Sequence, residues 1–122
     1  MQAPRFGLRV IITRVATHPF LARYNLKARI ERRDGCAAES ELFPDTGGAA
    51  RRSLYLTQSG AVLIMGQYDA RLLRRDRCAI ELVEFHHIEK NRTFLGTFDI
   101  NEQDQWRFLS PDARPERPFE SP

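Results

Sequence analysis

Residues 78–100 read CAIELVEF (78–85), HHIEKNRT (86–93) and FLGTFDI (94–100): two apolar segments on either side of a polar one. The apolar segments carry strong strand formers, among them Val83, Phe94 and Phe98, and little in the stretch favours a long helix. The pattern predicts strands over 79–85 and 94–100, joined by a polar loop.

Residues 23–33 give the cleanest period of two in the chain. Tyr24, Leu26, Ala28 and Ile30 alternate with polar residues, as expected for a strand with one wet face. Further strands are predicted at 8–15, 53–57 and 61–65, with a short one at 41–43, and the unbroken apolar run 61–65 indicates a buried strand. Residues 68–77 are predicted to be one helical turn or an irregular link. About eight short strands and no long helix predict an all-β fold, either an antiparallel β-sandwich or a small barrel.

The length and composition of the chain favour a single domain. The chain has 122 residues, 42% of them hydrophobic, which is enough for a core without disulfides or metal. We expect a lead-in over 1–7, a folded domain over 8–109, and a proline-rich linker or disordered tail over 110–122. The N-terminal residues lack an apolar signal region, so a cytoplasmic or nuclear location is expected. Without a secretory signal, Cys36 and Cys78 are predicted to be free thiols, Cys78 as a small core residue.

The net charge is +3, and arginine far outnumbers lysine. Basic residues recur in small groups that could bind phosphates of a lipid headgroup or nucleic acid. The alternative is a solvated surface on which they pair with nearby acids. The candidate binding residues are Lys27, Arg29, Arg51, Arg52, Arg74 and Arg75.

The sequence offers no catalytic or cofactor motif. Cys36, Cys78, His86 and His87 lack the close ligand pairs of a tight zinc site, and adjacent histidines on a strand point to opposite faces. Gly47-Gly48 lacks the following Lys and Ser/Thr of a phosphate-binding loop. We therefore expect a protein that is not an enzyme and that has no metal or cofactor.

The chain resembles a C2 domain over residues 8–100. Leu8-Arg9-Val10 matches the opening strand, Ala22-Arg23-Tyr24 stands where such domains often have Asp-Pro-Tyr, and Leu95-Gly96 matches the apolar-Gly pair after the later loop. The resemblance implies a C2-like antiparallel sandwich. Because the calcium aspartates of the family are replaced, by Ala22 and by residues near His87, it implies a calcium-independent domain.

Calcium-independent C2 domains commonly serve protein–protein interaction or lipid binding in scaffold, cytoskeletal, ciliary or trafficking proteins. The resemblance thus implies a non-catalytic cytoplasmic docking module, peripheral to a membrane or associated with the cytoskeleton. We expect a protein partner first, an anionic membrane second and nucleic acid third. The loop residues His86, His87, Lys90 and Arg92 would make the contact. The alternative function is single-stranded nucleic-acid binding by an OB-like barrel, with Tyr55 and Tyr68 as stacking platforms.

Overall fold

A computed structural model describes residues 2–3, 7–21, 23–44, 50–74 and 76–119. This part of the chain is almost entirely β and contains no α-helix. The strands are β1 (Gln2–Ala3), β2 (Leu8–Ala16), β3 (Tyr24–Arg32), β4 (Ala37–Glu41), β5 (Arg52–Thr57), β6 (Val62–Met65), β7 (Ala70–Leu73), β8 (Ile80–Leu82), β9 (Arg92–Ile100) and β10 (Trp106–Leu109). A 3₁₀ turn spans Phe85–His87.

The strands form two separate antiparallel sheets. Sheet A has the order β1-β2-β3-β4, a simple meander, and sheet B has the order β10-β9-β5-β6-β7-β8. All pairings are antiparallel. The all-β sandwich predicted from the sequence is confirmed, and the strands do not close into a single barrel.

The main core lies between the sheets. Alternate residues of β2 and β3 point inward, as the period of two predicts, and they meet alternate residues of sheet B. The buried set is Val10, Ile12, Leu26, Ala28, Ile30, Leu42, Ala50, Leu54, Val62, Ile64, Leu73 and Phe98. The Trp106 indole N–H donates to the Ile12 carbonyl at 2.8 Å, which ties β10 to sheet A.

Sheet B is also covered on its outer face. Tyr55, Leu63, Met65 and Ala70 form a second buried cluster there. Leu72 and Phe94 of sheet B pack against this cluster, and the chain after β8 and the C-terminal segment cover it with Val83, Ile88 and Phe119. Because β6 is buried on both faces, its sequence is continuously apolar, and the prediction of a buried strand at 61–65 is confirmed.

Several predicted elements differ from the structure. Residues 70–73 form a full strand where a helical turn or link was expected, and the strand predicted over 79–85 ends at Leu82. The strand expected at 41–43 lies earlier, at 37–41, and β10 was not expected. In β9 the pairing shifts register so that Leu95 is an extra, bulged residue. The next residue, Gly96, has φ +133° and leaves no room for a Cβ against Phe108, which explains the glycine.

The most deeply buried charges lie where β5, β7 and the segment after β4 meet. Asp69 is 3% exposed and Arg52 is 2% exposed. The Asp69 carboxylate lies 3.1 Å from Arg52 Nε and 3.6 Å from the Arg71 guanidinium, and it accepts the Phe43 backbone N–H at 3.0 Å. We call Arg52, Asp69 and Arg71 the buried ion cluster.

The two guanidinium groups bind main-chain carbonyls as well. Arg52 donates to the carbonyls of Ala50 at 3.0 Å and Phe43 at 2.9 Å, and Arg71 donates to that of Glu41 at 3.1 Å. These bonds satisfy main-chain carbonyls on both sides of residues 45–49 and join sheet A to sheet B. Arg52 was expected on a basic surface, and its burial follows from this pairing.

The prediction of free thiols was wrong. Cys36 and Cys78 form a disulfide, with their Cα atoms 6.0 Å apart. Cys36 follows the β3–β4 turn of sheet A, and Cys78 precedes β8 of sheet B. The bond therefore staples the two sheets, and Cys78 is exposed rather than in the core.

Replacing Asp69 with asparagine should destabilise the protein by about 3–5 kcal/mol, because two buried guanidinium groups would lose their counter-ion. The matched control is Glu31→Gln, since Glu31 also contacts two arginines, Arg9 at 3.5 Å and Arg29 at 3.9 Å, but on the exposed face. That change should cost about 1 kcal/mol or less. Urea unfolding measures both, and equal losses would contradict a structural role for the buried ion cluster.

Removing the disulfide with the double variant Cys36→Ser/Cys78→Ser should lower the free energy of unfolding by about 4 kcal/mol, the chain-entropy value for closing a loop of this length. Unfolding in urea with and without reductant provides the measurement. Reductant should reproduce the loss in the wild type and leave the double variant unchanged. A wild-type midpoint that is insensitive to reductant would show that the bond is absent or without consequence.

Candidate functional site

The loop between β2 and β3 marks one end of the sandwich, which we call the hairpin end. Ala16 pairs with Tyr24 there, and the loop spans residues 17–23. Residues 42–44 and the β6–β7 turn lie at the same end, because Phe43 bonds Asp69 and Leu42 N–H donates to the Leu26 carbonyl. The disulfide lies at the opposite end.

Large apolar side chains are exposed at the hairpin end. Phe20 is 90% exposed, Val15 is 63% exposed and Leu21 is 48% exposed. Phe43 and Tyr68 are also exposed at this end. Burying such side chains on binding is worth about 1.5–3 kcal/mol each, so this group is a strong candidate for a contact surface.

The loop that carries Phe20 is held in shape by its own hydrogen bonds. His18 Nδ1 accepts the backbone N–H groups of Phe20 at 3.1 Å and Leu21 at 3.0 Å. Thr17 N–H donates to the Arg23 carbonyl at 2.9 Å, and Arg23 N–H donates to that of Leu21 at 2.8 Å. The apolar tip is therefore presented by an internally bonded turn, which lowers the entropy lost on binding.

Arginines lie on the β2–β3 hairpin itself, whereas Glu102 and Asp104 lie on the neighbouring β9–β10 turn. Residues 1–30 contain no aspartate or glutamate, and all 16 acids of the chain come later. Arg14 stacks on the rings of Tyr24 at 3.9 Å and Trp106 at 5.4 Å, beside the exposed tip. Arg23 is exposed on the loop itself. The hairpin end thus combines exposed apolar groups with arginines.

Lys27 and Arg29 occupy the exposed face of sheet A, as the alternation predicted. Both contact Glu39, at 3.8 Å and 3.0 Å respectively, and Arg29 also contacts Glu31 at 3.9 Å. Their charges are locally balanced by acids on the neighbouring strands. This face is therefore a mixed ladder of ion pairs and not a basic patch.

The other basic candidates are spread over the molecule. Arg51 donates to the carbonyl of Arg117 at 2.8 Å and lies 3.9 Å from the Phe119 ring centre. Its burial, followed by the repulsion of Arg117, lowers the pKa of the Arg51 guanidinium. Arg74 pairs with Glu81 at 3.1 Å. Arg51 and Arg74 thus have different partners, and Arg75 lies outside the described residues.

The predicted contact loop at 86–93 crosses the outer face of sheet B. It ends where Arg92 pairs with Thr57, at the end of the sandwich opposite the 17–23 loop. Lys90 is exposed, and Arg92 lies 4.9 Å from the Tyr55 ring centre and donates to the Glu89 carbonyl at 3.0 Å. The two segments that the C2 resemblance places around one calcium site therefore do not come together.

A cleft of about 450 Å³ lies between this segment and sheet B. Its apolar floor includes Leu63 and Val83, and its rim carries Ser59, His87 and Glu89. Ser59 Oγ donates to Glu89 Oε2 at 3.1 Å across the cleft margin. The cleft mixes apolar and polar groups.

Residues 110–119 contain no helix or strand but pack against sheet B. Arg114 contacts Asp99 at 2.9 Å, and the buried Tyr55 hydroxyl donates to Glu116 at 2.9 Å. Burial, then the hydrogen bond and charge of Glu116, raise the pKa of Tyr55 to about 12. Because Tyr55 is 3% exposed, it is not available as a stacking platform for bases.

Comparison with known proteins gives no match to this chain, whether with protein-family models, curated proteins or solved structures. Within the described residues, no helix has the length and apolar character needed to cross a membrane. The exposed tip at Phe20 was missed by sequence reasoning, although one signal was present. Residues 18–21, His-Pro-Phe-Leu, place two large apolar side chains in a turn, where polar residues are usual.

The raised pKa of Tyr55 predicts a loss of stability at high pH. Between pH about 10 and about 12 the unfolded chain releases the tyrosine proton while the folded protein retains it, so stability should fall as pH rises through this window. Absorbance titrations of the wild type and of the Tyr55→Phe variant are recorded. Subtracting the second from the first isolates the ionisation of the Tyr55 hydroxyl. Its midpoint should lie near 12 and should fall in the Glu116→Gln variant. A Tyr55 titration midpoint near pH 10 would contradict the burial of this hydroxyl and its hydrogen bond to Glu116.

Proposed function

We propose that this chain is a non-catalytic docking module that binds an anionic membrane surface through its hairpin end. The observation that carries the proposal is the 90% exposure of Phe20 on a loop that is held open by hydrogen bonds to His18. A side chain of this size, exposed and rigidly presented, is costly in water unless a partner covers it.

The chemistry of the surroundings favours an anionic interface as that partner. Phe20 and Leu21 can enter the boundary between headgroups and acyl chains, and Arg14 and Arg23 can remain at headgroup level. Each such arginine contributes about 1 kcal/mol near an anionic surface. The loop itself carries no acidic residue, and acids at this end belong to neighbouring segments, such as Glu102 and Asp104 of the β9–β10 turn. The tip thus replaces Lys27, Arg29 and the 86–93 loop as the proposed contact.

The same proposal includes the domain family and the kind of protein to which the domain belongs. A C2-like, calcium-independent domain of a cytoplasmic scaffold, cytoskeletal, ciliary or trafficking protein would use one end of its sandwich in this way. Support for the C2-like assignment comes from the two-sheet architecture. Against a calcium site, the two segments concerned lie at opposite ends of the described fold.

The test is co-sedimentation with vesicles of phosphatidylcholine alone and of phosphatidylcholine with phosphatidylserine. We expect binding to the anionic vesicles, and a loss of about tenfold or more in affinity for Phe20→Ser, from the apolar area removed. Leu82→Ser is the matched control, because Leu82 is 65% exposed on β8 and outside the tip, and it should bind like wild type.

Three further outcomes decide between partners. Added Ca²⁺ should leave vesicle binding unchanged. Salt-sensitive binding of a single-stranded oligonucleotide without vesicle binding would overturn the proposal in favour of nucleic acid. Equal losses of vesicle affinity in Phe20→Ser and Leu82→Ser would also overturn the proposal. So would no vesicle binding at all, which would leave a protein as the partner of this surface.

A further inference from the structure

We propose that Glu84, His86 and His87 form a binding site for a borderline divalent transition metal ion, for which Zn²⁺ is the probe. The three side chains offer a carboxylate oxygen and two imidazole nitrogens, all within 4.8 Å of one another. This site is independent of the hairpin end and of the membrane proposal.

The local backbone brings the two histidines together. In a strand, adjacent side chains point to opposite faces, and this is the reason the sequence argued against a histidine site. The chain instead turns in a 3₁₀ conformation at Phe85–His87. As a result, the two imidazole ring centres lie 4.1 Å apart, and His86 Nε2 lies 3.1 Å from Glu84 Oε2.

The donor set and its spacing suit a transition metal. Zinc binds imidazole nitrogen and carboxylate oxygen at about 2.0–2.2 Å, which places neighbouring donors roughly 3–4 Å apart around the ion. Donors already within 4.8 Å reach that spacing by small side-chain rotations, because all three side chains are exposed. Imidazole suits zinc, copper and nickel, whereas magnesium and calcium prefer oxygen ligands.

The site lies at the margin of the cleft on the outer face of sheet B, because His87 is one of the residues that line that cleft. Three protein ligands would leave coordination positions for water or for a further ligand. The cysteines do not compete for the ion while they are joined as a disulfide. The metal measurements are therefore made on the oxidised protein.

Isothermal titration with Zn²⁺, after treatment with a chelator and its removal, tests the site. We expect saturable binding of one ion, weakened at least tenfold by His86→Ala and by His87→Ala, and weakened also by Glu84→Gln. His18→Ala is the matched control, since His18 is the remaining histidine and lies at the hairpin end. It should bind Zn²⁺ like wild type, and Mg²⁺ should give no saturable heat.

A readout that does not depend on affinity is the NMR spectrum of the imidazole groups. Zn²⁺ should shift the ring resonances of His86 and His87 and leave those of His18 in place. Thermal melting confirms that each variant is folded, as expected for exposed positions. Absence of saturable binding, equal shifts of all three histidines, or a loss in His18→Ala equal to that in His86→Ala would overturn the proposal.

Discussion

A buried carboxylate between two buried guanidinium groups sets the geometry of the hairpin end. Asp69 immediately precedes β7, and its carboxylate lies 3.1 Å from Arg52, the first residue of β5, and neutralises its charge. Its other oxygen holds the Phe43 amide of the segment that leaves sheet A. A charged group buried away from solvent is tolerated only when it is paired with an opposite charge and hydrogen-bonded. Loss of one partner would therefore leave an uncompensated buried charge. The cluster thus fixes where the chain crosses between sheets, and it also fixes Gly66, where a Cβ would lie 2.7 Å from Arg52 Nε.

The two ends of the sandwich are held together by different interactions. At the hairpin end the polar requirements of the crossing chain are met internally by the buried ion cluster, and the apolar side chains of the 17–23 loop remain outside. At the opposite end the Cys36–Cys78 bond joins the sheets covalently. The outer face of sheet B lies between them, with the cleft and the Glu84, His86 and His87 cluster. Each proposed interaction uses a surface that the core does not need for its own packing.

The parts of the fold that follow from local pattern could be predicted from the sequence. The alternation of β3 and the apolar run of β6 report directly which faces are buried. The strand at 70–73 could not be predicted, because Arg71 is buried by pairing with Asp69, and a charged residue gives no sign of its distant partner. The disulfide was missed for the same reason. Cys36 and Cys78 become neighbours only when the two sheets pack.

The candidate site, too, could be predicted from the sequence only in part. Basic residues such as Lys27 and Arg29 look available in the sequence, but the acids on β3 and β4 that balance them are visible only with the strand register in hand. His86 and His87 look unsuited to a common ligand until the 3₁₀ turn is known. The exposed Phe20, by contrast, left a trace in the sequence, since an apolar pair within a turn has no packing reason to be there.

The most direct test of the buried ion cluster is amide hydrogen exchange at Phe43. This residue lies outside the strands and its side chain is exposed, so its amide would exchange rapidly in an ordinary loop. Because the amide donates to the buried Asp69 carboxylate, its protection should approach that of Leu63 and Ile64 in the centre of sheet B. Exchange as fast as that of the exposed turn residues Gln58 and Ser59 would show that the cluster does not hold this end of the fold together.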